Sequence, residues 1–260
     1  MTRKHKPQQG IQSIEVGGRL LSALAEARRP QMLRDLAQEA GMPAAKAHRY
    51  LVSFGRMGLV EQQTETGLYD LGPFALQLGL SALARLDPVL IGAAALPKLS
   101  RAIGQTVALA VWANQGPTIV RWLGADTPVA ASLRVGSIMP LTRSATGGAY
   151  LAFLPRESTQ VALKKELAGN RRKGLVPMRR EVVEAFVEQT RRQGFAHTID
   201  FIPGIGGIAA PVFDHSGAMV LALVALGYSK PFEAHIQRIA AAVLHTAATL
   251  SQRLGANNAA

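Results

Sequence analysis

Between Ile14 and Leu24 the apolar residues Val16, Leu20, Leu21 and Leu24 recur at helical spacing, and Arg28-Arg29-Pro30 ends the helix they predict. A second short helix is predicted from about Met32, with Leu33, Leu36, Ala37 and Ala40 on one face and a stop at Gly41. Pro43 stands where a first helical turn tolerates proline, and a third helix follows through His48, Leu51, Val52 and Phe54, ending between Gly55 and Gly58. Leu59 to Leu71 then alternates in two short segments around a polar turn at Gly67, which is a hairpin signal. Three short helices, the last two joined by a tight turn, followed by a hairpin, give the order of a winged helix-turn-helix over residues 13–72. Residues 1–12 read as a disordered basic arm.

Pro73 opens a further helix carrying Phe74, Leu76, Leu78, Leu80 and Leu83, read as a linker helix over residues 73–87. Residues 88–255 form the second domain. It begins with a helical stretch over 88–103 that Pro97 is expected to break or bend. The pattern then turns β-branched at Thr106–Ala113, Thr118–Leu123 and Val129–Val135, separated by Gly/Pro/Asn turns. Helices return at Ala145–Phe153, Arg156–Ala168 and Arg179–Gln193, and strands at Phe195–Asp200, Ile208–Asp214 and Met219–Leu226. A last amphipathic helix carries Phe232, Ile236, Ile239, Val243, Leu244, Ala247, Leu250 and Leu254 at steps of 3 and 4. Five or six antiparallel strands with helices gathered on one face make an α+β domain of the sensor type.

Composition narrows the function. A chain of 260 residues with 48% hydrophobic and 18% charged residues builds cores and is not disordered over most of its length. A net charge of +12 implies anionic partners: nucleic acid, an acidic surface or small carboxylates. With no cysteine, disulfide scaffolds, thiolate metal sites and cysteine nucleophiles are excluded together. The longest unbroken apolar run, Met219–Leu226, is far short of the roughly 20 residues that span a bilayer. The basic N-terminus has no hydrophobic stretch behind it, so no signal peptide is expected and the reading is a cytoplasmic protein with no membrane contact.

In a helix-turn-helix the second helix enters the major groove. Here it carries Lys46, His48, Arg49 and Arg56, with Lys46 and Arg49 three apart and on one face. Arg49 is placed to read guanine and Lys46 to reach a base or a phosphate, while Leu51, Val52 and Phe54 pack inward. The plainer alternative is a packing module with a solvated cationic face.

These residues resemble a known family. Ser13-Ile-Glu-Val-Gly-Gly-Arg-Leu-Leu-Ser-Ala-Leu24, Leu33-Arg-Asp-Leu-Ala-Gln-Glu-Ala-Gly-Met-Pro43, Ala47-His-Arg-Tyr-Leu51 and Gly58-Leu-Val-Glu61 look like the N-terminal domain of IclR-type transcriptional regulators. The second half agrees through Arg134-Val-Gly-Ser-Ile-Met-Pro-Leu141, Ala145-Thr-Gly-Gly-Ala-Tyr-Leu-Ala152 and Gly204-Ile-Gly-Gly-Ile-Ala-Ala-Pro-Val-Phe-Asp214. The resemblance runs collinearly over about residues 13–252. It implies a winged helix-turn-helix, a linker helix and a GAF-like effector-binding domain with an antiparallel sheet, assembled as a homodimer or homotetramer on a double-stranded DNA operator. Relatives repress or activate operons for small-molecule catabolism. The chain departs from them at Ala44-Ala45-Lys46, where the family usually carries a Lys-Ser-Thr-like run. His48 and Arg49 match, Arg49 being assigned to DNA and His48 more to structure.

Carried onto this chain, the family's effector pocket falls on Met139, Ser144, Ala145, Thr146, Ile205, Gly207, Val224 and Leu226, with His197 near a polar position across a one-residue gap. A carboxylate at the start of the helix near Ser144 would meet free N–H groups and the positive end of the helix dipole. Val224 and Leu226 stand where relatives that bind small polar acids carry hydroxyls, so the resemblance implies a more hydrophobic, aromatic acid. Plain core is the other reading of these positions.

Other chemistries find less support. Ser144, His197 and Asp200 can be written as a triad, but no nucleophile-elbow pattern surrounds Ser144, and no enzyme is expected. Gly204-Ile-Gly-Gly207 precedes a strand and lacks the Lys-Ser/Thr of a phosphate loop. The six histidines are scattered without metal-ligand spacing, and neither metal nor cofactor is expected. The basic run Lys164-Lys165, Arg171-Arg172-Lys173, Arg179-Arg180 and Arg191-Arg192 reads as a solvated face before a second nucleic-acid surface. The competing function is a small-molecule sensor acting through protein partners, which differs from a DNA-binding regulator in its salt dependence.

Overall fold

The computed structural model describes residues 10–125, 133–172 and 178–256. The chain divides into two compact units, Met1–Leu86 and Asp87–Ala260. The first holds α1 (Gln12–Ala27), α2 (Leu33–Glu39), α3 (Ala44–Arg56), β1 (Val60–Gln62), β2 (Tyr69–Leu71) and α4 (Pro73–Leu83). Leu20 and Leu24 of α1, Leu36 and Ala37 of α2, Ala47 and Leu51 of α3, and Val60 and Tyr69 of the hairpin close one apolar core. Each fully buried leucine contributes about 1.5–3 kcal/mol through burial alone. Gly41, at φ 63°, reverses the chain between α2 and α3. The hairpin pairs Val60 with Leu71 and Gln62 with Tyr69, and Gln31 extends it by exchanging backbone hydrogen bonds with Tyr69. Val52, expected inside, is exposed: it lies next to Leu51 in sequence but about 100° away around the helix. The basic arm falls largely on residues 1–9, outside the described residues, and Gln12 is already helical.

The second unit is a five-stranded antiparallel sheet in the order β4-β3-β7-β6-β5. Its strands are β3 (Thr106–Ala113), β4 (Gly116–Leu123), β5 (Ala196–Ile202), β6 (Ile205–Phe213) and β7 (Met219–Tyr228). The helices are α5 (Pro88–Ile103), α6 (Ala145–Phe153), α7 (Arg156–Arg172), α8 (Arg180–Gln193), α9 (Ser229–Ala234) and α10 (Ile236–Arg253). Most of the expected strand at 129–135 lies outside the described residues, and Leu133 to Val135 are not in a strand.

Helices cover both faces of this sheet, not one. Leu109 lies against Gly92 of α5, and α5 packs on α10. The alternate residues Ala108, Ala110, Ala209, Ala222 and Val224 share a core with Ala145, Ala149 and Tyr150 of α6. The Tyr150 hydroxyl donates to the Ala110 carbonyl at 2.7 Å inside that layer, where burial raises its pKa. The signal was in the sequence: β6 and β7 are near-continuous apolar runs, and β6 is buried along all but its last residue. A strand with one solvated face would alternate.

Of the break or bend expected at Pro97 the break does not occur, and the single last helix is revised. α5 runs through Pro97 unbroken, its C-terminal half held by the burial of Leu96, Leu99 and Ile103. The last helix is two, α9 and α10, parted at His235. The break lets α9 set Phe232, fully buried, over Gly206 and Gly227, where an added Cβ would come within 3.1 and 2.8 Å of the ring. No single helix among the described residues is long and apolar enough to cross a membrane.

Candidate functional site

On α3 the buried stripe is Ala47 and Leu51, while Lys46, Arg49 and Arg56 are exposed. Positions 46, 49 and 56 recur at helical spacing, so the three cations form a single solvent-facing stripe. His48 is exposed as well, with Nδ1 3.4 Å from the Tyr69 hydroxyl on β2, a long contact that links this helix to the hairpin. Ser53 shares the cationic face, but its hydroxyl donates to the Arg49 carbonyl at 3.0 Å.

The second candidate site lies in the other unit, where α6 begins. Pro140 to Ser144 bring the chain down onto the sheet, and Gly147 makes that approach possible: a Cβ there would sit 2.1 Å from the Pro140 carbonyl oxygen. Ser144 caps α6, accepting from the Gly147 N–H at 2.9 Å and donating to the Pro140 carbonyl at 2.6 Å. The Ala145 N–H donates to the Thr198 hydroxyl at 3.1 Å. The expectation of several free N–H groups is therefore narrowed. Two of the first three are filled from within, and for the third, the Thr146 N–H, there is no acceptor among the described residues.

At this helix start is a small cavity of ≈ 20 Å³, the space of about one water molecule. Met139, the capping Ser144 and the α6 residues Ala145 and Thr146 line it on one side; Ile205, Gly207, Val224 and Leu226 line it from β6 and β7. These are eight of the nine positions the sequence singled out. The ninth, His197, is not there. It pairs with Ile208 on the opposite sheet face, stacks on Phe232 at 6.5 Å, and keeps a buried Nε2 without a partner. Burial lowers its pKa, opposed by the charge of Glu233.

Thr198 takes the place assigned to His197, and Phe201 and Ile202 complete the lining. The side of Thr198 was legible: Ala196, two residues back, is apolar and fully buried in the same layer, so alternation turns Thr198 the same way. Phe201 and Ile202 were not legible. A register shift between Ile199 and Ile202 carries both onto the cavity, against strict alternation.

The arrangement rules out the Ser144/His197/Asp200 triad. Ser144 is fully engaged, His197 lies across the sheet, and Asp200 Oδ1 accepts from the Gly204 N–H and the Ser229 hydroxyl at 2.9 and 2.8 Å. Among the described residues no three His, Cys, Asp or Glu side chains are grouped to hold a metal.

Residues 13–64 match the IclR helix-turn-helix domain, and residues 81–252 match the domain described as bacterial transcriptional regulator IclR, C-terminal. The chain belongs to the IclR family. Its relatives include the glycerol operon regulatory protein of Streptomyces griseus, 32% identical over 258 residues, which span 95% of this chain and 97% of that protein. The crystal structure of Pseudomonas aeruginosa HmgR superposes with a TM-score of 0.87 at 35% identity, covering 95% of this chain and all of that one. An IclR homologue from Microbacterium hydrocarbonoxydans, solved in complex with 4-hydroxybenzoate, shares the fold at a TM-score of 0.54 and 19% identity, over 93% of this chain and 98% of that one. Like its IclR relatives, the chain is a transcriptional regulator and not an enzyme.

Proposed function

We propose that this IclR-family protein is a ligand-responsive, DNA-binding regulator of a small-molecule catabolic operon, with a hydrophobic or aromatic organic acid as effector. The observation that carries the reading is one chain holding an exposed cationic stripe on α3 and a cavity that opens on the start of α6. Lys46, Arg49 and Arg56 meet the DNA, with Arg49 on base edges and His48 bracing the helix against Tyr69. In the cavity the Thr146 N–H and the α6 dipole favour a carboxylate, while Val224, Leu226, Ile205, Phe201 and Ile202 supply an apolar wall. The 4-hydroxybenzoate held by the Microbacterium relative is an acid of that class. No cofactor takes part.

A homodimer or homotetramer completes the reading. α4 has no buried residue, and Leu76 and Leu80, one turn apart, are 65% and 57% exposed, an apolar face suited to a second copy of this chain. A dimer presents two α3 helices to half-sites one turn or a few turns apart. An effector that binds the DNA-competent and incompetent states with different affinity shifts the population between them.

The test is fluorescence anisotropy with DNA from upstream of the gene and of its neighbours, against scrambled DNA, at two salt concentrations and with added aromatic acids. Binding to native DNA at least ~10³-fold tighter than to scrambled supports the reading. Equal, salt-sensitive binding to both overturns it and favours a sensor that works through protein partners.

A further inference from the structure

One large space lies outside the inner cavity. Beyond β5, between the Thr142 loop and α8, is an open groove of ≈ 450 Å³, walled by the apolar side chains of Met178, Val182 and Phe186, with Arg143 and His197 also in its lining. Thr198 and Phe201 line both this groove and the inner cavity, so the two spaces share one partition. Their sizes assign different roles. A cavity of about 150 Å³ is what accommodates a benzene ring, so the inner space of ≈ 20 Å³ takes no ring as it stands. The groove lies within the roughly 300–1,000 Å³ of small-molecule pockets.

The partition is built differently from the rest of the sheet. Asp200 and Phe201 fall in the register shift of β5 and have no ladder partners. Asp200 adopts a left-handed backbone at φ 56°, a conformation aspartate tolerates better than most residues. It is held by its own carboxylate on Gly204 and Ser229, which also turns the one acid of the groove lining into the corner. Phe201 thus stands on a stretch fixed at Asp200 but free of sheet pairing, between the α6 helix start and the apolar α8 wall of the groove.

We infer that the effector site has two compartments: the α6 end receives the carboxylate, the α8–β5 groove receives the apolar body of an extended aryl- or alkyl-carboxylate, and Phe201 is the partition displaced when such a ligand binds. This rests on the effector reading above and extends it to the shape of the ligand: long and amphipathic, with its head at one end. Phe201 and Val182 then set specificity by length, and Thr146 and Leu226 set it by head group.

The experiment is calorimetric titration of the full chain with two probes, benzoate and 4-phenylbutanoate. It compares wild type, Val182→Trp, which fills the groove from a position 43% exposed, Phe201→Ala, and Leu226→Glu at the inner cavity. In wild type 4-phenylbutanoate binds more tightly than benzoate. Val182→Trp lowers the ratio of the two affinities at least tenfold, Phe201→Ala raises the affinity for 4-phenylbutanoate relative to benzoate, and Leu226→Glu weakens both acids. If Val182→Trp leaves the ratio within twofold while Leu226→Glu still weakens both, the groove is not part of the site and the inference falls, the effector cavity standing. If Leu226→Glu changes neither affinity, or wild type binds neither acid, the effector reading falls and takes the inference with it.

Discussion

The carboxylate of Glu166 on α7 accepts both the backbone N–H and the hydroxyl of Thr142, through Oε1, at 3.0 and 2.6 Å. Its other oxygen accepts the Leu141 N–H. Three hydrogen bonds to a half-buried anion thus fix the turn that delivers Ser144 to the head of α6. Glu166→Gln keeps the shape but puts a donor where an acceptor is needed. It is expected to destabilise the unit by about 1–3 kcal/mol. That corresponds to a melting temperature lower by roughly 2–10 °C for a domain of this size. A melting temperature within a degree of wild type would mean that the turn is held by something else.

Arg49→Ala is expected to lower operator affinity roughly 10–100-fold, with scrambled DNA affected far less, because a bidentate base contact is worth about 1–3 kcal/mol. The side chain is exposed, so the melting temperature should not move. Lys46→Ala should weaken both DNAs together and flatten the salt dependence if it meets phosphate. Unchanged operator affinity in Arg49→Ala removes that residue from its role.

Leu226 separates sensing from packing. It is 6% exposed and lines the inner cavity from β7. Leu226→Ser is expected to blunt the effect of aromatic acids on operator binding by tenfold or more in acid concentration, with operator affinity in their absence nearly unchanged. Equal loss of both in anisotropy would mark the residue as core alone.

His197 gives the fold a pH dependence of defined sign. Burial holds its pKa below the ordinary value of about 6.5, with Glu233 opposing, so the unfolded chain takes up the proton first. Stability from this group is complete above about pH 6.5 and is lost as the pH falls from there toward the folded value. His197→Phe retains the stack on Phe232 and removes the titration. Thermal melts between about pH 5 and about pH 8 should show a shallower acid slope in the variant; parallel curves would assign the slope to other groups.

Gly147→Ala probes the approach of α6 to the loop above it. The added Cβ would lie 2.1 Å from the Pro140 carbonyl oxygen and 2.4 Å from the Leu141 Cα, both backbone atoms that cannot rotate away. A loss of about 1–3 kcal/mol is expected, as for overpacked cores generally, although alanine is the better helix former. An unchanged melting temperature would show that the loop yields freely.

What the sequence conveyed depended on how local the cause was. Helix starts and stops at Pro43, Gly104 and Gly194 are written in single residues, and the elements they bound lie where periodicity places them. Eight lining positions were legible only through the family resemblance, whose motifs carried the pocket onto this chain residue by residue. The faces of the sheet were misjudged because a strand covered on both sides loses the alternation that tells one side from the other. His197 was misplaced by one residue, and in a strand one residue is the whole width of the sheet. Phe201 and Ile202 depend on a register slip between two strands, a property of the pair that neither segment shows alone.

The single-water cavity beneath Thr146 also bears on how much effector such a regulator needs before it responds. Room must be made before a ring is held, and the free energy of making it is subtracted from the affinity, about 1.4 kcal/mol for every tenfold rise in the concentration of half-response. On the proposed site, the threshold is then set partly by residues that never touch the ligand, such as Glu166, which holds the turn ahead of Ser144. Sequence changes there retune the dose at which a gene switches while leaving unaltered which molecule switches it.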